Sequence, residues 1–350
     1  MQQPGRYPYQ SSRKDDFVHR THRRERRIYV YLPRDARIRT VFLLVCAALF
    51  LFSAVKLLQY ARDARKAINT SDQLQAIYYA DATTAVTPVP TAFPTSAPEE
   101  AATQAPIISN PIVSAPNTRL GSITTPLPVL KTKSYPRNAQ GASTNQQFVK
   151  LQQQNSDIIG WLSIPNIVDE AVVQRDNIYY LDRDSLGRPN TNGAIFLDEA
   201  TDLATRPYTL PLYGHNMKSG LMFGRLRNYE TLSYYKHNAF ITFNTIHEDG
   251  LYVILGTCTI SITPASDHFV DLIDLTSMDS LRRGTALLAL MRQSPYNTPI
   301  DIRVDDQLLL LITCVEKDDE RRVVYARRVR DNETQADLQL LVNQTTTYSP

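Results

Sequence analysis

Leu308-Leu309-Leu310-Leu311-Ile312-Thr313-Cys314 is followed by the polar connection Glu316-Lys317-Asp318-Asp319-Glu320 and then by Arg321-Arg322-Val323-Val324-Tyr325-Ala326-Arg327. The first run reads as an apolar strand that ends on a thiol. The second is basic and β-branched, and suits a neighbouring strand. A hairpin-like connection brings an arginine seven or eight residues on back beside the cysteine. Side chains alternate along a strand, so Arg321 and Arg322 must face opposite sides.

Similar short runs recur upstream, separated by turn chemistry. They are Gly160 to Ile164, Ala171 to Gln174, Ala194 to Leu197, Thr209 to Tyr213, Phe240 to Phe243 and Leu251 to Ile262. With Leu308 to Thr313 and Val323 to Val329 they make eight expected strands, a pattern that predicts a mainly β sandwich or barrel. Two helices interrupt it. Phe148 to Ser156 looks like a short amphipathic helix. Ser277 to Arg292 places Leu281, Leu287, Leu288 and Met291 at helical spacing, between a polar start and a Ser-Pro end.

Ahead of this region the chain changes character twice. Residues 83–143 hold prolines at 88, 90, 94, 98, 106, 111, 116, 126, 128 and 136 among Thr, Ala and Ser. Proline fixes φ and lacks a donor, so an extended extracellular linker is expected there. Residues 40–58 are almost wholly apolar and would span about 28 Å as a helix, close to a bilayer's hydrocarbon thickness. Arginine and lysine dominate residues 1–39, and no small-residue cleavage pattern follows the apolar run, which favours an uncleaved anchor over a signal peptide. The basic side should stay cytoplasmic and the remainder lie outside. Residues 59–82 read as a continuation of the anchor helix or a stalk, 144–332 as the folded domain and 333–350 as a C-terminal tail.

The net charge is only +3, from 38 basic and 35 acidic residues, which gives no case for nucleic acid. Three cysteines, Cys46, Cys258 and Cys314, make no disulfide framework. Cys314 stands at a strand's rim beside charged sequence, where a thiolate is accessible and nearby cations stabilise it. Cys258 also follows a threonine in an expected strand, but no arginine-bearing strand follows it at the right distance, so it reads as a core or near-site thiol. Among the six histidines, His215 stands out in Tyr213-Gly214-His215-Asn216-Met217-Lys218, where a strand ends on a glycine that permits a sharp turn. No H-E-x-x-H or C-x-x-C spacing points to a metal, and no G-x-S-x-G to a serine hydrolase.

Taken together, residues from about Leu151 to Val329 resemble a sortase of class B. The resemblance is carried by Ile159-Gly160-Trp161-Leu162-Ser163-Ile164-Pro165, Val172-Val173-Gln174, Asn177-Ile178-Tyr179-Tyr180-Leu181 and Gly193-Ala194-Ile195-Phe196-Leu197-Asp198. The histidine segment with Met222-Phe223, Thr313-Cys314 and the Arg-x-Val-Val-x-Ala-Arg strand complete it. It implies an eight-stranded β-barrel with a helix between the sixth and seventh strands, and a cysteine transpeptidase needing no cofactor and no metal. Counted back from Ala326-Arg327, the family's arginine falls on Arg321. Cys314, His215 and Arg321 are then the expected catalytic residues, with Leu186, Thr313 and Asn216 expected to bind substrate. The implied partners are surface proteins or pilins with a C-terminal sorting signal, and an amine of peptidoglycan or of a pilin lysine. The competing expectation is a non-catalytic, membrane-tethered wall scaffold or pilus assembly factor with the same barrel. The segment Asn343 to Pro350 has no sorting signal, so the chain reads as enzyme and not substrate.

Overall fold

A computed structural model describes residues 36–80, 146–205, 207–276, 279–315 and 319–348. Most of the basic tail expected at 1–39 and the linker expected at 83–143 lie outside these residues, as do Ser277 and the centre of the 316–320 connection. The chain divides into two units, residues 1–58 and 59–350.

Helix α1 (Ala36–Tyr79) begins in the first unit and ends in the second. In the first unit its large apolar side chains, Val41 to Leu58, are exposed. Among the described residues this is the one helix long and apolar enough to cross a membrane.

The second unit is built on a closed barrel of strands β1 (Ile158–Ile164), β2 (Val168–Val173), β3 (Ile195–Leu197), β4 (Thr209–Tyr213), β5 (Phe240–Thr245), β6 (Leu251–Ser261), β7 (Leu308–Cys314) and β8 (Glu320–Arg328). Around the barrel they run β1-β2-β3-β4-β7-β8-β6-β5, and β5 closes on β1. All eight expected runs are therefore strands. The pairs β2–β3 and β4–β7 are parallel and the others antiparallel. A parallel pair needs a crossover; the first arrives at the rim where β3 begins, and the second leaves from that same rim, where β4 ends.

Strand alternation sorts the apolar residues into two cores. Val172, Ile195 and Leu197 belong to the larger cluster, which also takes in the leucines of β7, whereas Ala171, Val173, Ala194 and Phe196 belong to a second cluster. That second cluster is covered by Leu74 and Tyr78 of α1 and by Phe148 and Leu151 of α2 (Gln146–Gln154). The segment expected as a stalk is thus helical, and part of it is integral to the fold. Tyr78 stacks on Trp161 at 4.4 Å between ring centroids. The residues flanking the expected linker meet, because Gln147 Nε2 donates to Tyr78 O at 2.8 Å.

Helix α3 (Leu232–His237) follows β4. The helix expected at 277–292 is α5 (Ser280–Arg292), preceded by the short α4 (Leu272–Thr276). Asp279 caps α5, its Oδ1 accepting from Leu281 N and Arg282 N at 2.8 and 3.2 Å. The stretch expected as a tail differs most. It holds α6 (Gln335–Gln344), whose Leu338 and Val342 are buried, and a two-residue ladder between 346–347 and 296–297.

Candidate active site

Three neighbouring strands build the site, and their register fixes its geometry. In the parallel pair β4–β7, Tyr213 stands opposite Ile312, and Gly214 N donates to Ile312 O at 3.3 Å. His215 and Cys314 each lie two residues beyond that pair. The strands therefore deliver an imidazole and a thiol at one rim. In the antiparallel pair β7–β8, Cys314 is the direct partner of Arg321 and Thr313 of Arg322. Directly paired residues share a face of the sheet, so Arg321 stands on the thiol's side. Arg322 takes the other face and pairs with Glu230.

Cys314, Arg321 and His215 open into one cleft of about 320 Å³, with Leu181, Phe196 and Tyr213 among its walls. Cys314 is exposed and Arg321 half-buried, its Nη1 donating to Glu320 O at 2.8 Å. His215 Nε2 lies 2.7 Å from Leu181 O. A carbonyl only accepts, so this nitrogen carries the proton. Gly193 packs against the imidazole. Its φ is +64°, and a Cβ there would fall 2.9 Å from His215 Cδ2 and 2.8 Å from Tyr180 O. Only glycine fits a left-handed position so closely faced.

A carboxylate organises the opposite wall. Asp198 Oδ2 accepts from Asn177 Nδ2 at 3.0 Å, and Asn177 Oδ1 accepts from Glu199 N at 3.0 Å. Burial, then the charge of Asp198, pushes the Tyr213 hydroxyl up to about 12, against the pull of Arg321. Tyr213 is accordingly neutral at physiological pH, and its hydroxyl donates to the Asp198 carboxylate.

The remaining expected residues are placed differently. Thr313 adjoins the cleft, but its buried Oγ1 has no hydrogen-bond partner, and alternation turns it from the thiol's face. Leu186 and Asn216 do not line the cleft. Leu186 packs on the second core cluster, and Asn216 forms a bridge with Met222 within the histidine loop. Cys258 is buried in the larger apolar core, on the sheet face it shares with Val323, and burial pushes its thiol up to about 12. Among the described residues no group of three His, Cys, Asp or Glu side chains could hold a metal ion. Reading from sequence did not single out Asn177, Leu181, Phe196 or Tyr213 as site residues. The available signal was their place in the segments flanking the histidine and the first crossover.

No family model matches the chain. Two curated proteins are similar to it. Sortase B of Staphylococcus aureus is 26% identical over 188 residues, which is 52% of this chain and 74% of that protein. Sortase B of Listeria monocytogenes is 28% identical over 197 residues, or 53% and 76%. Among solved structures, sortase B from Bacillus anthracis in complex with AAEK2 is 26% identical, with a TM-score of 0.49 over 58% of this chain and 90% of that one.

Proposed function

We propose that this chain, a member of the class B sortases and so a cysteine transpeptidase, cleaves a C-terminal sorting signal after a threonine and transfers the shortened protein to an amine. The reading rests above all on the direct pairing of Cys314 with Arg321 at the rim where β4 delivers His215.

The Cys314 thiolate attacks the threonine carbonyl carbon, and the carbonyl π electrons move to oxygen. Arg321, standing beside the sulfur, stabilises that oxyanion, an effect worth about 3 kcal/mol for one such donor in comparable sites. Collapse breaks the C–N bond and leaves a thioester, while protonated His215 gives its proton to the departing amine. An incoming amine then attacks the thioester. His215, now neutral, accepts its proton, and the thiolate leaves. With Nε2 held by Leu181 O, Nδ1 is the nitrogen that exchanges the proton in both steps. The second N–H of the ordered Asn177 amide offers a donor to the peptide's backbone, the Tyr213 oxygen offers an acceptor, and Leu181 and Phe196 offer apolar surface. No step requires a cofactor.

The acceptor amine is that of a peptidoglycan cross-bridge, for wall anchoring, or a pilin lysine, for polymerisation. The apolar half of α1 anchors the protein in the membrane as a single span. The arginine-rich end lies in the cytoplasm and the barrel outside, in a Gram-positive type of envelope. Incubating the purified protein with a panel of sorting peptides and candidate amines, and reading products by mass spectrometry, tests the reaction. The expected product carries the new amine on a carboxy-terminal threonine. Cleavage at another residue, or equal turnover by Cys314→Ala, would refute it.

A further inference from the structure

The loop between residues 181 and 193 cradles the imidazole. Leu181 O accepts from His215 Nε2 at one end, and Gly193 lies against the ring at the other. Ala194 N donates to Tyr180 O at 3.0 Å and closes the loop's neck. The loop's far side rests on helix α1. Asn190, 3% exposed, spends its side-chain amide on both partners. Its Nδ2 donates to Asp63 O of the helix at 3.0 Å, while its Oδ1 accepts from Asn192 N at 3.0 Å within the turn that leads into Gly193. The Asn190 carbonyl accepts from Gly193 N at 3.1 Å. Two further ties reinforce the contact: Thr191 Oγ1 donates to Asp63 Oδ2 at 3.0 Å, and Thr70 Oγ1 bonds Asp184 Oδ2 at 2.9 Å. Asp184 in turn caps the loop by accepting from Leu186 N and Arg188 N, both at 3.0 Å.

We propose that Asn190 is a positioning residue for the reaction, and that residues 63–78 of α1, docked on the barrel, hold the catalytic imidazole in register through it. The proposal rests on the reading of His215 given above. A buried amide that satisfies the helix and the turn at once leaves little freedom to either. The turn sets Gly193, and the neck set by the same loop places the carbonyl that fixes the tautomer of His215. A loop stabilised only by its own bonds would not need the helix. Here a buried donor of the loop would lose its acceptor whenever the helix lifted. The segment that anchors the chain thereby acts on the chemistry without touching substrate.

Nature has built in the reporter: Trp161, the only tryptophan in the chain, stacks on Tyr78 of the docked segment. The test uses the full chain in nanodiscs with three variants. Asn190→Asp keeps the acceptor for the turn and removes the donor to the helix. Leu74→Glu puts a charge at the centre of the docked face and lifts it. His215→Ala is the control for the site itself. For both Asn190→Asp and Leu74→Glu we expect kcat to fall by about 10-fold, a part of the 10²–10⁴-fold that a general acid–base residue supplies. KM should stay within about 2-fold, since positioning and not substrate contact is lost. The pH profile of kcat should move on the limb that reports the imidazole. Trp161 emission should change in Leu74→Glu. An undocked Leu74→Glu with wild-type kcat and pH profile would overturn the proposal, as would an Asn190→Asp variant altered only in thermal stability. A fully active His215→Ala would instead overturn the reading of the site.

Discussion

Arg321 and Arg322 are adjacent and chemically alike, yet the strand gives them separate fates. Arg321 pairs with Cys314 across β7–β8, while Arg322 faces Glu230 on the other side. Arg321→Ala should lower kcat/KM by about 10²-fold or more, the usual cost of removing an oxyanion donor. Arg322→Ala should leave it within a few-fold, because a partly exposed ion pair contributes about 0.2–1 kcal/mol to stability. Steady-state kinetics on one sorting peptide decides between them. The thiols of Cys314 and Cys258 should differ as sharply. Cys314 is exposed, whereas Cys258 is buried with its thiol pushed up to about 12. Limited alkylation at neutral pH should therefore label Cys314 first; earlier labelling of Cys258 would argue that the barrel opens. Period-two alternation said only that the two arginines face opposite sides; the choice of Arg321 came from the family resemblance, and the register pairs that residue with Cys314. The second wall of the cleft was not legible. Asn177, Phe196 and Tyr213 come from three separate segments, and nothing local in any of them says that the barrel will bring them together around Asp198.

The eight strands announced themselves as β-branched and apolar runs, and β7–β8 was readable down to the pairing of a cysteine with an arginine. Helices that dock by small or polar faces were harder to foresee. The barrel-facing stripe of α1 is Ala67, Thr70, Ser71, Leu74 and Tyr78, all buried. Only two of these are large and apolar, so the periodicity of the stripe is masked. Helix α6 had a clearer signal, with Thr334 as N-cap accepting from Asp337 N at 3.1 Å and apolar residues at 338, 341 and 342. The α1 contact also contains a titratable group. Glu170 of β2 lies under Ser71, with Asp72 of α1 and neighbouring Asp169 repelling its charge and Arg225 lining the same cavity. Burial first, then those carboxylates, pushes Glu170 from the ordinary 4.5 up to about 8. Between those values the unfolded chain releases a proton that the folded chain retains, so rising pH erodes stability. The contribution is complete below about pH 4.5 and gone above about pH 8. Glu170→Gln, neutral throughout, should leave Tm unchanged at about pH 4 and raise it above wild type at about pH 9. Thermal melts at the two pH values check the sign, and an equal shift at both would show that ionisation is not the cause.

The second unit carries residues 63–78 of α1 on its barrel and gathers Cys314, His215 and Arg321 into one cleft at the barrel's rim. If the apolar half of α1 is the anchor, the chain should fractionate with membranes. Protease added outside intact cells should reach the barrel and spare the arginine-rich end; digestion of that end would reverse the orientation proposed. The proposed reaction requires the sulfur of residue 314 to become covalently acylated. Intact-protein and peptide mass spectrometry, after brief incubation with a sorting peptide and without an amine acceptor, reads that bond. The expected result is a mass increment equal to the peptide up to and including its threonine less one water, located on the fragment containing Cys314, labile to hydroxylamine and absent from Cys314→Ala. Turnover of the peptide with no adduct on Cys314, or an adduct on Cys258, would contradict the account.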